Sequence, residues 1–203
     1  MKTVYVIGSS HAHRIQLVLK GLPEYNTEFN ILSFAKGGAK FSNLVWPDLE
    51  SIDPSDVVLV FPLGNDLLKN KRHIKKQGRI FHLAKFEPVE DTGIVFRTCL
   101  YLLEQKLSKC RAKILVVTSF YRHFCCRNHT HQGWLGYQNL RNAQLFYIQD
   151  RVPNVTVLNH KKLVSDRNTE LRDTVRYREL QYDSVHFRDY TPIARKILPY
   201  ILG

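Results

Sequence analysis

The stretch that decides the fold is Thr3-Val4-Tyr5-Val6-Ile7-Gly8-Ser9-Ser10-His11. Its first five residues form an apolar run that is typical of a buried strand, and Gly8 permits a sharp turn where that strand ends. Ser10 then lies near the amino end of a helix, where unpaired backbone N–H groups and the helix dipole stabilise negative charge. The stretch predicts a strand, a tight turn and a helix, with a hydroxyl group beside the turn.

The same alternation of apolar runs and helical segments continues along the chain. Runs rich in Val, Ile and Leu predict five buried strands, at residues 3–7, 29–34, 57–61, 114–118 and 155–158. Apolar spacings of three and four predict helices over residues 14–22, 41–49, 94–109 and 135–150, with a terminal helix over 192–202. Strands that are separated by helices and read as continuous apolar runs imply right-handed crossovers and a parallel sheet covered on both faces. We expect an α/β fold, a three-layer α/β/α sandwich around a five-stranded parallel sheet, interrupted only by charged segments at 69–79 and 161–181.

Length and composition bound the organisation of the chain. With 203 residues, 44% of them hydrophobic, it is long enough for one core and short for two, so we expect a single domain over residues 1–203. No apolar run approaches the roughly 18 residues of a membrane-spanning helix, and the run near the start is too short for a signal peptide. We therefore expect a cytoplasmic protein whose four cysteines, Cys99, Cys110, Cys125 and Cys126, are free thiols.

Two further fragments follow predicted strands, as Ser10 does. Gly38 lies in Lys36-Gly37-Gly38-Ala39 after the second strand, and Asn65 lies in Leu63-Gly64-Asn65-Asp66 after the third. Ligands of an open parallel sheet bind outside the carboxyl ends of the strands. A glycine lets its backbone N–H approach a reacting carbonyl closely, and an asparagine amide can donate to the same oxygen. Each fragment also has an ordinary interpretation, a helix cap for the serines and a turn for the other two.

A fourth fragment, Tyr182-Asp183-Ser184-Val185-His186, places a carboxylate three residues before an imidazole. This spacing lets the carboxylate accept a hydrogen bond from one imidazole nitrogen while the other nitrogen faces a serine. The alternative interpretation is a helix-capping aspartate beside a surface histidine. Together the four fragments supply a hydroxyl nucleophile, oxyanion donors and an acid-base pair, which is the inventory for acyl transfer from an ester substrate without a cofactor.

The set Gly8-x-Ser10, Gly38, Gly64-Asn65-Asp66 and Asp183-x-x-His186 resembles the four blocks of the SGNH/GDSL hydrolase superfamily, over residues 6–187. The resemblance implies a flavodoxin-like sandwich and a serine esterase. It assigns Ser10 as nucleophile and backbone oxyanion donor, and Gly38 and Asn65 as the other oxyanion donors. It assigns His186 as general base and Asp183 as the partner that orients it.

The chain departs from the family pattern at two positions. Ser9 stands where an aspartate is usual, and Ser184 stands where a small glycine is common after the catalytic aspartate. Neither group transfers a proton, so the departures concern loop geometry. Within the superfamily, the run Val6-Ile7-Gly8-Ser9-Ser10-His11-Ala12-His13-Arg14 is similar to esterase domains encoded in the first reading frame of some animal non-LTR retrotransposons.

A net charge of +12 favours anionic partners such as phosphates, acidic lipid headgroups or nucleic acid. The densest basic run, here called the basic segment, contains Lys69, Lys71, Arg72, Lys75, Lys76 and Arg79. Such runs are usually solvated faces, but this one follows Asn65 directly and could anchor a phosphate near the crevice. A second function class therefore stays open, an SGNH-like module with vestigial catalysis that binds RNA or an anionic surface.

A cluster of imidazole and thiol groups follows the fourth predicted strand. Its members are His123, Cys125, Cys126, His129 and His131. These residue types can hold Zn²⁺, but the spacing fits no standard finger, and adjacent cysteines rarely ligate one ion. We expect a loop at the edge of the substrate site and no metal.

Overall fold

The computed structural model of the chain describes residues 1–66, 68–70, 75–76, 79–80, 86–88, 92–123, 131–183 and 185–203. The strands within these residues are β1 (Lys2–Gly8), β2 (Phe29–Ala35), β3 (Val57–Val60), β4 (Leu68–Asn70), β5 (Lys75–Lys76), β6 (Arg79–Ile80), β7 (Phe86–Pro88), β8 (Lys113–Val117) and β9 (Val155–Leu158). The α-helices are α1 (Ser10–Leu19), α2 (Thr92–Leu107), α3 (His131–Leu145), α4 (Tyr147–Arg151), α5 (His160–Val164), α6 (Thr174–Glu179) and α7 (Thr191–Leu202).

Five of the strands form one parallel sheet in the order β2-β1-β3-β8-β9. This is the flavodoxin-like order, in which the crossovers on the two sides of β1 diverge and leave a crevice at the carboxyl ends of the strands. The register brings those ends level, because Gly8 pairs with Ala35 of β2 and Ile7 pairs with Val60 of β3. Segments that follow β1, β2 and β3 therefore meet at one edge of the sheet.

Helices cover both faces of the sheet, as the continuous apolar strands predict. On one face, α7 buries Ile193, Ala194, Ile197 and Ile201, which lie along one side of the helix and pack with buried residues of α1. On the other face, α2 buries Phe96, Leu103 and Leu107 against the sheet and α4. The three-layer α/β fold and the five parallel strands predicted from the sequence are confirmed.

One predicted helix, over residues 41–49, is wrong. The structure has two short 3₁₀ helices there, Phe41–Asn43 and Leu49–Ser51, with Leu44 in extended backbone. Proline at position 47 explains the difference, because it lacks an N–H group and disfavours helical backbone in the preceding residue. The segment nevertheless buries Phe41, Leu44 and Leu49. The apolar spacing therefore indicates which residues are buried, although the backbone is not helical.

Other helix boundaries also differ from expectation. The first helix begins at Ser10 instead of residue 14, and the segment 135–150 is divided into α3 and α4 at Phe146. The charged segment 161–181 contains two short helices that its charge pattern does not predict. The sequence feature that could have indicated these helices is the capping residue of each. The side chains of Asn159 and Asp173 accept hydrogen bonds from backbone N–H groups at the starts of α5 and α6.

Over the described residues, no helix is both long and apolar enough to cross a membrane. Cys99 and Cys110 are buried free thiols, whereas Cys125 and Cys126 lie outside the described residues.

Candidate active site

The turn after β1 positions Ser10. Gly8 has φ +151°, and a Cβ atom there would lie 2.7 Å from Phe61 Cβ and 2.9 Å from Ala12 Cβ, so only glycine fits. Ser9 occupies the N-cap position of α1 but makes no side-chain capping hydrogen bond. Ser10 is the first residue of the helix, and its hydroxyl group bonds elsewhere. The helix-cap interpretation of these serines therefore does not describe their side chains.

Ser10, His186 and Asp183 form one continuous hydrogen-bonded chain. His186 Nε2 lies 2.9 Å from Ser10 Oγ, and His186 Nδ1 lies 2.6 Å from Asp183 Oδ2. A carboxylate oxygen only accepts, so the proton of the neutral ring resides on Nδ1 and the lone pair of Nε2 faces the Ser10 hydroxyl. The His186 side chain is 20% exposed and that of Asp183 is 38% exposed, so the site is open to a ligand.

Asp183 also orders the loop that carries His186. Its Oδ1 accepts hydrogen bonds from the backbone N–H groups of Val185 (3.0 Å) and His186 (2.6 Å). Partial burial would raise the pKa of Asp183, but these bonds and the His186 ring outweigh it and lower the pKa below its ordinary value. Because α7 begins only at Thr191, Asp183 does not cap that helix.

Gln181, which sequence reasoning missed, fastens this loop to the body of the protein. Its buried Nε2 donates to the backbone carbonyls of Tyr121 (2.8 Å) and Val185 (2.9 Å). The backbone N–H of Tyr182 donates to the carbonyl of His186 at 2.9 Å, which closes the loop on itself. A buried glutamine beside a candidate aspartate has no distinctive sequence pattern.

The two candidate oxyanion residues lie in loops that are bonded together. Asn65 Nδ2 donates to the backbone carbonyl of Ala39 at 2.8 Å, and Asp66 Oδ1 accepts the backbone N–H of Phe41 at 2.7 Å. Gly38, directly before Ala39, has φ +72°, a conformation that favours glycine. An asparagine amide has two hydrogens, so Asn65 retains one for a ligand. Burial raises the pKa of Asp66 despite its bond to Phe41.

His11 and Arg122 are two buried basic residues of this region to which the sequence assigns no role. His11 Nδ1 lies 2.8 Å from the hydroxyl of Tyr190, and burial followed by the charge of Arg122 lowers the pKa of His11 well below its ordinary value. Burial also lowers the pKa of Arg122 to about 10, although the charges of Asp66 and Asp183 oppose the shift. Gly64 has φ +142°, which favours glycine, and a Cβ atom there would also lie 2.8 Å from Arg122 Nη2.

The basic segment is only partly described. Lys69 lies in β4, Lys75 and Lys76 lie in β5, and Arg79 lies in β6, while Lys71 and Arg72 lie outside the described residues. Of the histidine and cysteine cluster, Cys125, Cys126 and His129 are likewise outside them. In the part of the chain that is described, no group of three or more His, Cys, Asp and Glu side chains could hold a metal ion.

Comparison with solved structures finds the same fold in proteins that are named as esterases and as a GDSL-like lipase. An acetylxylan esterase from Geobacillus stearothermophilus matches with a TM-score of 0.56 and 12% identity, over 100% of this chain and 94% of that one. An acetyl xylan esterase matches with a TM-score of 0.58 and 18% identity, over 99% and 100% of the two chains. A GDSL-like lipase from Bacteroides thetaiotaomicron matches with a TM-score of 0.51 and 13% identity, over 98% and 87%.

The chain therefore shares the fold of these esterases and of the GDSL-like lipase. No family model matches the sequence, and no curated protein matches it significantly.

Proposed function

We propose that the protein is a serine esterase that hydrolyses carboxylic esters by acyl transfer through Ser10. The observation that carries this proposal is the chain of contacts from Ser10 Oγ to His186 Nε2 and from His186 Nδ1 to Asp183. It is the arrangement by which a base activates a hydroxyl group and a carboxylate fixes the tautomer of the base.

In the first step, His186 Nε2 takes the proton of Ser10 as Oγ attacks the ester carbonyl. The carbonyl oxygen then becomes an oxyanion, and Asp183 stabilises the imidazolium without becoming protonated. Collapse of the tetrahedral intermediate expels the alcohol, which takes the proton from His186. Water activated by the same imidazole then releases the acyl group and regenerates Ser10.

The oxyanion is held by three donors: the backbone N–H groups of Ser10 and Gly38 and the side-chain amide of Asn65. The N–H of Ser10 belongs to the first turn of α1, where it has no acceptor within the helix. The bond from Asn65 to Ala39 fixes the asparagine side chain beside the loop of Gly38. Such donors act because they are in place before charge develops.

The substrates proposed are esters with short acyl chains, in line with two structural neighbours that are named as acetyl xylan esterases. The test is turnover of p-nitrophenyl acetate by the wild-type protein and by Ser10→Ala. We expect at least a 1000-fold loss of kcat in the variant, whereas equal rates would eliminate the catalytic assignment.

The net charge of +12 supports a second candidate, a module that binds RNA or an anionic surface through the basic segment. In that case a variant with Lys69, Lys75, Lys76 and Arg79 changed to glutamine would lose affinity for single-stranded RNA. Binding would also weaken steeply as salt rises. Salt-independent binding, or binding that the variant retains, would remove this candidate.

A further inference from the structure

Among the described residues, the His186 ring contacts the rings of Tyr182 and His11. Tyr182 stacks on it with ring centroids 5.9 Å apart and an angle of 21° between the planes. His11 lies against it with centroids 5.3 Å apart and a tilt of 40°. The orientation of the imidazole is therefore set by ring contacts as well as by Asp183.

Both contacting rings are tied to one side chain, Arg14. Its Nη2 donates to the Tyr182 hydroxyl at 2.7 Å, and its guanidinium carbon lies 5.5 Å from the Tyr182 ring centroid. The same guanidinium lies 5.9 Å from the ring centroid of Tyr190, whose hydroxyl is 2.8 Å from His11 Nδ1. Tyr182, Tyr190 and His11 thus form one network around the ring of His186.

Arg14 connects this network to the helix that carries the nucleophile. Ser10 and Arg14 are four residues apart on α1, so their side chains lie on the same face of the helix. His186, in contrast, lies in a loop. The bond from Arg14 to Tyr182 therefore joins the loop of the base to the helix of the hydroxyl group.

Tyr182 requires such a bond to remain in place. The residue is 46% exposed, and an exposed tyrosine otherwise samples several rotamers. A guanidinium that lies over an aromatic ring and also donates a hydrogen bond to it holds that side chain with little further loss of freedom.

We propose that Tyr182 and Arg14 are positioning residues for His186: Tyr182 holds the imidazole in line with Ser10, and Arg14 holds Tyr182. The inference rests on the proposed esterase function. Tyr182 also has a second, electrostatic effect. The face of its ring stabilises the imidazolium that forms when His186 takes the Ser10 proton. Both effects belong to the chemical step, so they change kcat and leave KM nearly constant.

Four variants separate the effect of the Tyr182 ring from the effect of its bond to Arg14. Tyr182→Leu removes the ring, and we expect kcat to fall about tenfold. Tyr182→Phe keeps the ring but loses the bond to Arg14, and Arg14→Gln loses the guanidinium, so each should lower kcat about threefold. The double variant with Arg14→Gln and Tyr182→Phe should be no slower than Arg14→Gln alone, because Arg14→Gln already removes the bond that Tyr182→Phe removes.

Matched controls come from α2. Tyr101→Leu changes a tyrosine that is 60% exposed, and Arg97→Gln changes an exposed arginine, so both should retain wild-type kcat and melting temperature. If the Arg14→Gln and Tyr182→Phe effects on kcat were additive, the proposal that Arg14 holds Tyr182 would be overturned. A Tyr182→Leu variant with unchanged kcat would overturn the role of the ring.

A second measurement does not depend on catalysis. In a proton–carbon NMR spectrum, the Cε1–H signal of His186, assigned by its loss in His186→Gln, is shielded by a stacked ring. We expect a downfield shift in Tyr182→Leu and a smaller downfield shift in Tyr182→Phe, whose ring has lost its bond to Arg14. If the wild-type protein hydrolyses no ester but this shift occurs, the esterase proposal fails while the ring contact stands; an unchanged signal overturns the ring contact itself.

Discussion

The imidazole Nε2 of His186 lies 2.9 Å from the hydroxyl oxygen of Ser10, although 176 positions separate the two residues. Ser10 begins α1, and His186 lies in the loop directly before α7. Buried residues of the two helices share one core cluster, which includes Ala12 and Ile15 of α1 and Ile193 and Ile197 of α7. Packing of these helices on one face of the sheet therefore brings the two side chains together.

The turn at Gly8 is expected to tolerate no side chain. In Gly8→Ala the new Cβ meets Phe61 and Ala12 at less than 3 Å, so we expect a loss of about 3 kcal/mol in the free energy of unfolding. Gly37→Ala is the matched control, because its Cβ would have no atom within 4 Å and should cost less than about 0.5 kcal/mol. Equal urea midpoints for the two variants would contradict the steric account.

Asn65→Ala should impair catalysis far more than folding. Loss of one oxyanion donor lowers kcat on the order of 100-fold to 1000-fold, while loss of the bond to Ala39 costs about 1 kcal/mol of stability. The control is Asn43→Ala, which removes a hydrogen bond to the backbone N–H of Lys40 in the same loop. If both variants lower kcat equally, Asn65 only stabilises the loop and is not an oxyanion donor.

Gln181 is expected to be necessary for the loop that carries the candidate acid-base pair. Gln181→Leu leaves the backbone carbonyls of Tyr121 and Val185 without their donor, and we expect a loss of about 2–4 kcal/mol of stability. Gln105→Leu, on α2, is the control. Calorimetry should give a lower melting temperature for Gln181→Leu alone; a melting temperature equal to that of the wild type would show that the bonds are dispensable.

Stability should fall as the pH falls from 7 to 5.5. Burial lowers the pKa of His160 to about 3 and lowers that of His11 well below its ordinary value, whereas both titrate near 6.5 in the unfolded chain. The unfolded state then binds more protons below pH 6.5, so the free energy of unfolding should fall by about 2 kcal/mol over this range. Asp66, whose pKa is raised by burial, opposes the trend at the acid end.

Urea unfolding at several pH values measures this dependence. His160→Gln removes one of the two titrating groups, so its stability should depend less steeply on pH than that of the wild type. A flat wild-type profile between pH 7 and 5.5 would mean that these histidines are not neutral in the folded protein.

The sequence predicts the sheet well because its strands are short, continuous apolar runs between helices, a pattern with few alternatives. It fails over residues 41–49, where the spacing of Phe41 and Leu44 is compatible with a helix that the following proline prevents. It also misses α5 and α6, which are each six residues or fewer and depend on the caps Asn159 and Asp173.

The sequence suffices to select Ser10, Asp183 and His186, because each lies in a short motif with its own chemistry. It does not suffice to select the residues around them. Tyr182 and Arg14 meet across 168 positions, and His11 meets Tyr190 across 179. Such contacts depend on how α1 and α7 pack with the loop that precedes α7. No local sequence pattern specifies that packing.

The most direct test of the central claim is covalent labelling of Ser10 by a fluorophosphonate, located by peptide mass spectrometry. We predict one adduct, on Ser10, with labelling slowed at least 100-fold in His186→Gln and absent in Ser10→Ala. Labelling of the intact wild-type protein at another residue, or at a rate that His186→Gln does not change, would contradict the assignment of Ser10 as a nucleophile activated by His186.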